Sequence, residues 1–79
     1  MLASKTFYFT HNEVDYSADV TLFAEDEGDY LSIFIKEING IFEEDTGDQV
    51  ESTDEFTEII EDLIDSKHKQ LTKLFHEEN

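Results

Sequence analysis

Apolar residues in the last third of the chain recur every three or four positions. Phe56, Ile59, Ile60, Leu63, Ile64, Leu71, Leu74 and Phe75 keep to one stripe, which predicts one long amphipathic helix from Ser52 to about Phe75. Ser52-Thr53-Asp54-Glu55 fits the capping-box pattern, with Ser52 as N-cap and Glu55 reaching back to it. At 100° per residue from Phe56, the stripe spans roughly 300° through 0° to 100°. Asp54, Glu58, Glu61, Asp62 and Asp65 fall between about 140° and 240°, on the opposite face. Lys67 falls at about 20°, inside the stripe, so there the helix outruns its support or Lys67 stretches its amine to a carboxylate.

Upstream the period changes to two. Val14, Tyr16, Ala18, Val20, Leu22 and Ala24 take one face of a half-buried strand, and Asp15, Ser17, Asp19, Thr21 and Phe23 the other. Lys5 to Thr10, aromatic and Thr-rich, reads as a strand after a loose start at Met1 to Ser4, with a turn at His11-Asn12-Glu13. Glu25 to Asp29 is a turn by its glycine and charge. Tyr30 to Ile38 is a further strand with Leu31, Ile33 and Ile35 inward; its alternation slips at Lys36-Glu37-Ile38, as at a bulge or strand end. Gly40 permits a bend. Ile41 to Glu44 can pair with Gln49-Val50-Glu51 across Asp45 to Asp48.

The expected fold class is α+β: a three- to four-stranded antiparallel sheet followed by one long C-terminal amphipathic helix packed on one face, all in one domain over residues 1–79. One helix covers one sheet face. Tyr8, Phe23, Tyr30 and Phe34 are then expected as an exposed aromatic patch on the other, for a second subunit or a target to cover.

Charge changes this picture most. Twenty-one acidic residues against five Lys and no Arg give a formal net charge of -16. Solubility alone asks for a net charge of about 2–8 on a small domain. Such acidity with few aromatics would suggest disorder, but 13% of the residues are aromatic and the apolar positions are periodic, so the chain is expected to fold. It has no Cys, hence no disulfide or thiolate chemistry. No apolar run approaches the ~20 residues of a membrane span, and no signal peptide is read at its start.

Candidate chemistry is sparse. No Ser sits in a Gly-framed elbow, and His11, His68 and His76 lack a partner constellation, so no enzyme is expected. An EF-hand loop needs glycine at its sixth position; counting from Asp45 that residue is Val50, and from Asp26 it is Leu31. No metal and no cofactor are expected. Direct binding of nucleic acid is not expected either, because its electrostatic footprint is basic.

The acid surface remains. Along the helix, Asp54, Glu58, Glu61, Asp62 and Asp65 advance by ~5–6 Å per three or four residues. Phosphates along one DNA strand lie roughly 6–7 Å apart. Such a row of carboxylates fits a basic groove built for a duplex. Asp15 and Asp19, with the two acidic loops, Glu25 to Asp29 and Glu43 to Asp48 (Glu43, Glu44 and Asp45 foremost), would supply a second row if they share its side, and Phe23 and Phe34 would add aromatic contacts. The plainer reading of a charge run on a helix is its solvated face.

In size, charge and sheet-plus-acidic-helix layout, the whole chain resembles the small acidic proteins by which phages and mobile elements block DNA-acting enzymes. These include anti-restriction proteins, anti-CRISPR proteins and uracil-DNA glycosylase inhibitors, several of which mimic the DNA backbone. The resemblance rests on no motif and carries no residue over by position. It implies a non-enzymatic inhibitor that occludes the groove of a basic nucleic-acid-binding host protein, in the cytoplasm of the host cell if the gene is phage-borne. The alternative expectation is an acidic accessory interaction module, or a homodimer, using the exposed aromatic sheet face.

Overall fold

Asn12 and Glu13 both take left-handed backbone angles, φ 51° and 66°, and turn β1 (Leu2–His11) back onto β2 (Val14–Asp26). Two such residues in succession give the primed hairpin turn whose twist matches its flanking strands. A computed structural model describes residues 1–77. In it the chain is α+β, a curled four-stranded antiparallel sheet in the order β1-β2-β3-β4 followed by two helices.

β1 is longer than the expected Lys5 to Thr10. Leu2, Ala3 and Ser4 pair with Phe23, Leu22 and Thr21, and Ala3 is buried. The Ala24 N–H donates to the Met1 carbonyl at 2.8 Å, and the Met1 amine donates to the Ala24 carbonyl at 3.1 Å. Met1 to Ser4 is therefore not loose, because its backbone completes a ladder that β2 holds open.

β3 (Leu31–Glu43) pairs with β2 and carries two bulges. Leu22 faces Ile35 and Thr21 faces Glu37, leaving Lys36 extra; Val20 faces Ile38 and Asp19 faces Gly40, leaving Asn39 extra. Inward side chains thus step by two from Leu31 through Ile33 to Ile35, then by three to Ile38 and Ile41. This is the slip in the alternation, and it is a bulge rather than a strand end. A Cβ on Gly40 would come within 2.9 Å of the Phe42 ring, so the glycine makes room for that ring. β4 (Gln49–Val50) pairs with Phe42 and Ile41 across a turn in which Gly47, at φ 76°, donates to the Glu43 carbonyl at 2.7 Å.

The expected single helix is two. α1 (Asp54–Ser66) begins at Thr53, not Ser52; the Thr53 hydroxyl accepts from the Phe56 N–H at 3.4 Å. This cap sets Phe56 against Phe9, Tyr16 and His11, with ring centroids 5.9, 5.1 and 5.7 Å away. Glu55, freed from any capping box, reaches His11 instead: Oε1 lies 2.8 Å from Nε2. The helix breaks at Lys67 (φ −107°, ψ 16°), and α2 (His68–Glu77) follows. The break answers the anomaly of a lysine inside an apolar stripe, since Lys67 lies half-buried at the corner.

Ile60 and Ile64 of α1 and Leu71 and Phe75 of α2 are buried against Phe7, Ala18, Val20, Leu22 and Ile41 on the inward sheet face. At about 25 cal/mol per Å² of apolar area removed from water, side chains of this size stabilise by roughly 1.5–3 kcal/mol each when fully buried. The whole inward set of β2, from Val14 to Ala24, is where its alternation places it.

Candidate acidic and aromatic surfaces

Burial of Ile60 and Ile64 fixes the rotation of α1, and that rotation turns Asp54, Glu58, Glu61, Asp62 and Asp65 outward, where all five are exposed. Among the described residues no ion pair involves any of them; the carboxylate that finds a cation-forming partner is Glu55, on His11. The thirteen residues of α1 make a row about 20 Å long.

Asp15 and Asp19 do not join that row. They stand on the outward face of β2, with the sheet between them and the helices, because their neighbours Ala18, Val20 and Leu22 take the inward face. Each accepts a cross-strand hydrogen bond, Asp15 from the Thr10 hydroxyl at 2.5 Å and Asp19 from the Thr6 hydroxyl at 2.9 Å. The expected second row therefore faces away from the first.

The turn Glu43-Glu44-Asp45 is better placed. The Glu44 N–H donates to the Asp15 carbonyl at 2.9 Å, which sets this turn at the same end of the sheet as the Asn12-Glu13 hairpin. The Glu55–His11 contact brings the start of α1 to that end too. Glu44 and Asp45 are exposed beside it, whereas Glu43 is half-buried on the inward side of β3. At the far end, α1 gives way to His68, whose Nε2 donates to the Leu31 carbonyl at 2.6 Å next to the acidic turn Glu25 to Asp29. The helix row runs from one acidic turn towards the other.

On the outward face, Leu2 pairs with Phe23 and Phe23 with Phe34, forming a row across three strands that is 53%, 37% and 50% exposed. Tyr8 is 65% exposed further along β1. Tyr30 does not belong to this patch: its ring stacks on His68, centroids 4.6 Å apart and planes 9° from parallel. Leu2 was missed because Met1 to Ser4 reads as a loose start. His68 occupies the first position of α2.

One further feature escapes sequence reasoning. β4 pairs with Ile41 and Phe42 alone, so among the described residues no strand pairs with β3 from Leu31 to Ile38 on its outer side. Between that edge and α1 runs a groove of about 480 Å³, lined by Tyr30, Ser32, Ile33, Phe34 and Ile35 and by Glu61, Ile64 and Asp65.

Among the described residues, no group of three or more His, Asp or Glu side chains is arranged to hold a metal ion, and no helix is long and apolar enough to cross a membrane. No protein-family model matches the chain, and no curated protein or solved structure matches it significantly.

Proposed function

We propose that this protein is a non-enzymatic inhibitor that imitates a nucleic-acid backbone and occupies the basic groove of a DNA-acting host protein, in the host cytoplasm. The observation behind this reading is the outward face of α1: five exposed carboxylates on a helix whose rotation is held by Ile60 and Ile64, with Glu44 and Asp45 at its start. Nothing in packing or solubility requires that concentration of one sign at a total of -16. Long-range attraction would speed encounter with a basic target, and neighbouring apolar groups would fix the pose. Asp15 and Asp19 face the other way and fall outside this surface.

A second reading is supported by the Leu2–Phe23–Phe34 row: an accessory module, or a homodimer, that buries the outward sheet face. Salt separates the two. A pull-down from bacterial lysate at low and high salt, with bound proteins identified by mass and challenged with duplex DNA, tests the first. Partners that are nucleic-acid-binding, lost at high salt and displaced by DNA support mimicry. Partners retained at high salt and indifferent to DNA support the sheet face.

A further inference from the structure

Among the described residues, no strand lies beyond β3 from Leu31 to Ile38. Backbone groups of successive residues point alternately to the two sides of a strand. Met1 and Ala24 exchange both their hydrogen bonds, so the even-numbered residues of β2 turn their backbone groups to β1 and the odd-numbered ones to β3. Phe23 and Glu25 therefore engage Phe34 and Ser32, and Leu31, Ile33 and Ile35 aim their N–H and C=O groups away from β2. The Leu31 carbonyl, which His68 caps from that outer side, has the orientation this alternation requires. Ile33 and Ile35 face the groove, and among the described residues none caps them in this way.

Sheet edges are normally blunted by bulges, by lysine or by a covering element. Here the bulges and Lys36 protect the edge from Lys36 to Asn39, and β4 covers Ile41 and Phe42. The straight stretch from Leu31 to Ile35 has neither bulge nor lysine, and among the described residues no strand covers it; His68 caps it at the Leu31 carbonyl. Beside it, α1 overhangs the edge and presents Ile64 between Glu61 and Asp65.

We propose that this edge binds an extended segment of a partner protein as an additional antiparallel strand, with Lys or Arg on one face of the segment and apolar residues on the other. A strand added at ~4.8 Å from β3 lies in the groove. Its residues opposite Ile33 and Ile35 turn inward under α1, where long cationic side chains lay their stems on Ile64 and their charges on Glu61 and Asp65. The alternate residues turn outward and prolong the Leu2–Phe23–Phe34 row by one strand. Charge excludes a second copy as the favoured occupant: each chain carries -16, and two β3 edges in register would set Glu61 and Asp65 against their own copies. The proposal shares Glu61 and Asp65 with the acidic face of α1 but differs from groove-blocking in its backbone bonds at β3, which peptide N-methylation and amide exchange at Ile33 and Ile35 read on their own.

The test uses the full chain and a synthetic peptide of alternating Lys and Val, seven residues long, at moderate salt. In the antiparallel arrangement the inward Lys residues donate and accept the bonds to β3. N-methylation of the Lys backbone amides should weaken binding at least tenfold, whereas N-methylation of the Val amides should leave it within threefold. Amide hydrogen exchange should slow at Ile33 and Ile35 at least tenfold on binding. Glu61→Gln with Asp65→Asn should weaken binding about tenfold, and Asp48→Asn with Glu51→Gln, which removes the same charge elsewhere, should change it less than threefold. Equal affinity of the two methylated peptides, loss with the Val set alone, or protection at β1 instead of β3 overturns the proposal. So does self-association that protects Ile33 and Ile35 without peptide, since the edge would then belong to a second copy.

Discussion

Tyr30 and His68 lie face to face, 4.6 Å between ring centroids, where the turn between β2 and β3 meets the break between the helices. The same imidazole donates from Nε2 to the Leu31 carbonyl at 2.6 Å and receives the Thr72 hydroxyl at Nδ1, 3.5 Å away. A straight helix through Lys67 would not be held to β3 in this way. The corner in the chain and the seal on the sheet are one feature.

His68→Ala removes both the stack and the bond and should cost about 1–3 kcal/mol, from a lost hydrogen bond to a half-buried carbonyl and a lost ring contact. His68→Phe keeps a flat ring against Tyr30 and should recover part of that loss. In a domain of this size, thermal melting should fall by roughly 4–8 °C per kcal/mol. A drop of less than about 2 °C for His68→Ala would show that the corner is held by Leu71 and Phe75 alone.

Glu13 sits at φ 66° in a two-residue turn that favours glycine at its second position. A side chain there costs about 1–2 kcal/mol, against roughly 0.5–1 kcal/mol for the extra freedom of glycine in the unfolded chain. Glu13→Gly should therefore raise the melting temperature by a few degrees, worth about 0.5–1 kcal/mol. Glu13→Gln is the control for charge. Equal gains from both would assign the effect to electrostatics instead of backbone geometry.

Glu58→Gln, Glu61→Gln, Asp62→Asn and Asp65→Asn combined leave Ile60 and Ile64 in place, and removing four like charges should hold stability within about 1 kcal/mol or raise it. Binding to a nucleic-acid-processing target should still fall by roughly 10–100-fold at low salt, mainly through slower association. Lys69→Gln, which leaves the protein more acidic, should bind as well or better. Full affinity and full competition with DNA in the four-fold variant would make this face ordinary solvated surface.

Phe23→Ser with Phe34→Ser tests the outward row. Both side chains are only partly exposed and form a cross-strand pair, so the double change should cost about 1–3 kcal/mol, no more than the roughly 2–5 kcal/mol expected of the single change Ile60→Ala in the core. Sedimentation of the unmodified chain at high micromolar concentration and moderate salt should give a monomer. A dimer that the double variant dissolves would establish the homodimer reading.

Local periodicity carried most of the architecture. The alternation of β2 and the stripe from Phe56 to Ile64 are each written in one short segment, since side-chain direction repeats with the backbone geometry of that segment alone. The slip near Lys36 was legible for the same reason, but a slipped period is common to a bulge and a strand end, and only the pairing of β3 with β2 decided for the bulge. The exposed acids of α1 followed from its apolar stripe. What the sequence could not decide is set by contacts between distant residues. The end of β1 depends on the hydrogen bonds of Met1 with Ala24, the cap at Thr53 on where Phe56 must sit against Phe9 and Tyr16, and the break at Lys67 on the reach of His68 to Leu31. The separation of Asp15 and Asp19 from the α1 row, and the bare edge at Ile33 and Ile35, exist only once helices and strands are placed around one sheet, because facing and neighbourhood are properties of the assembled layers.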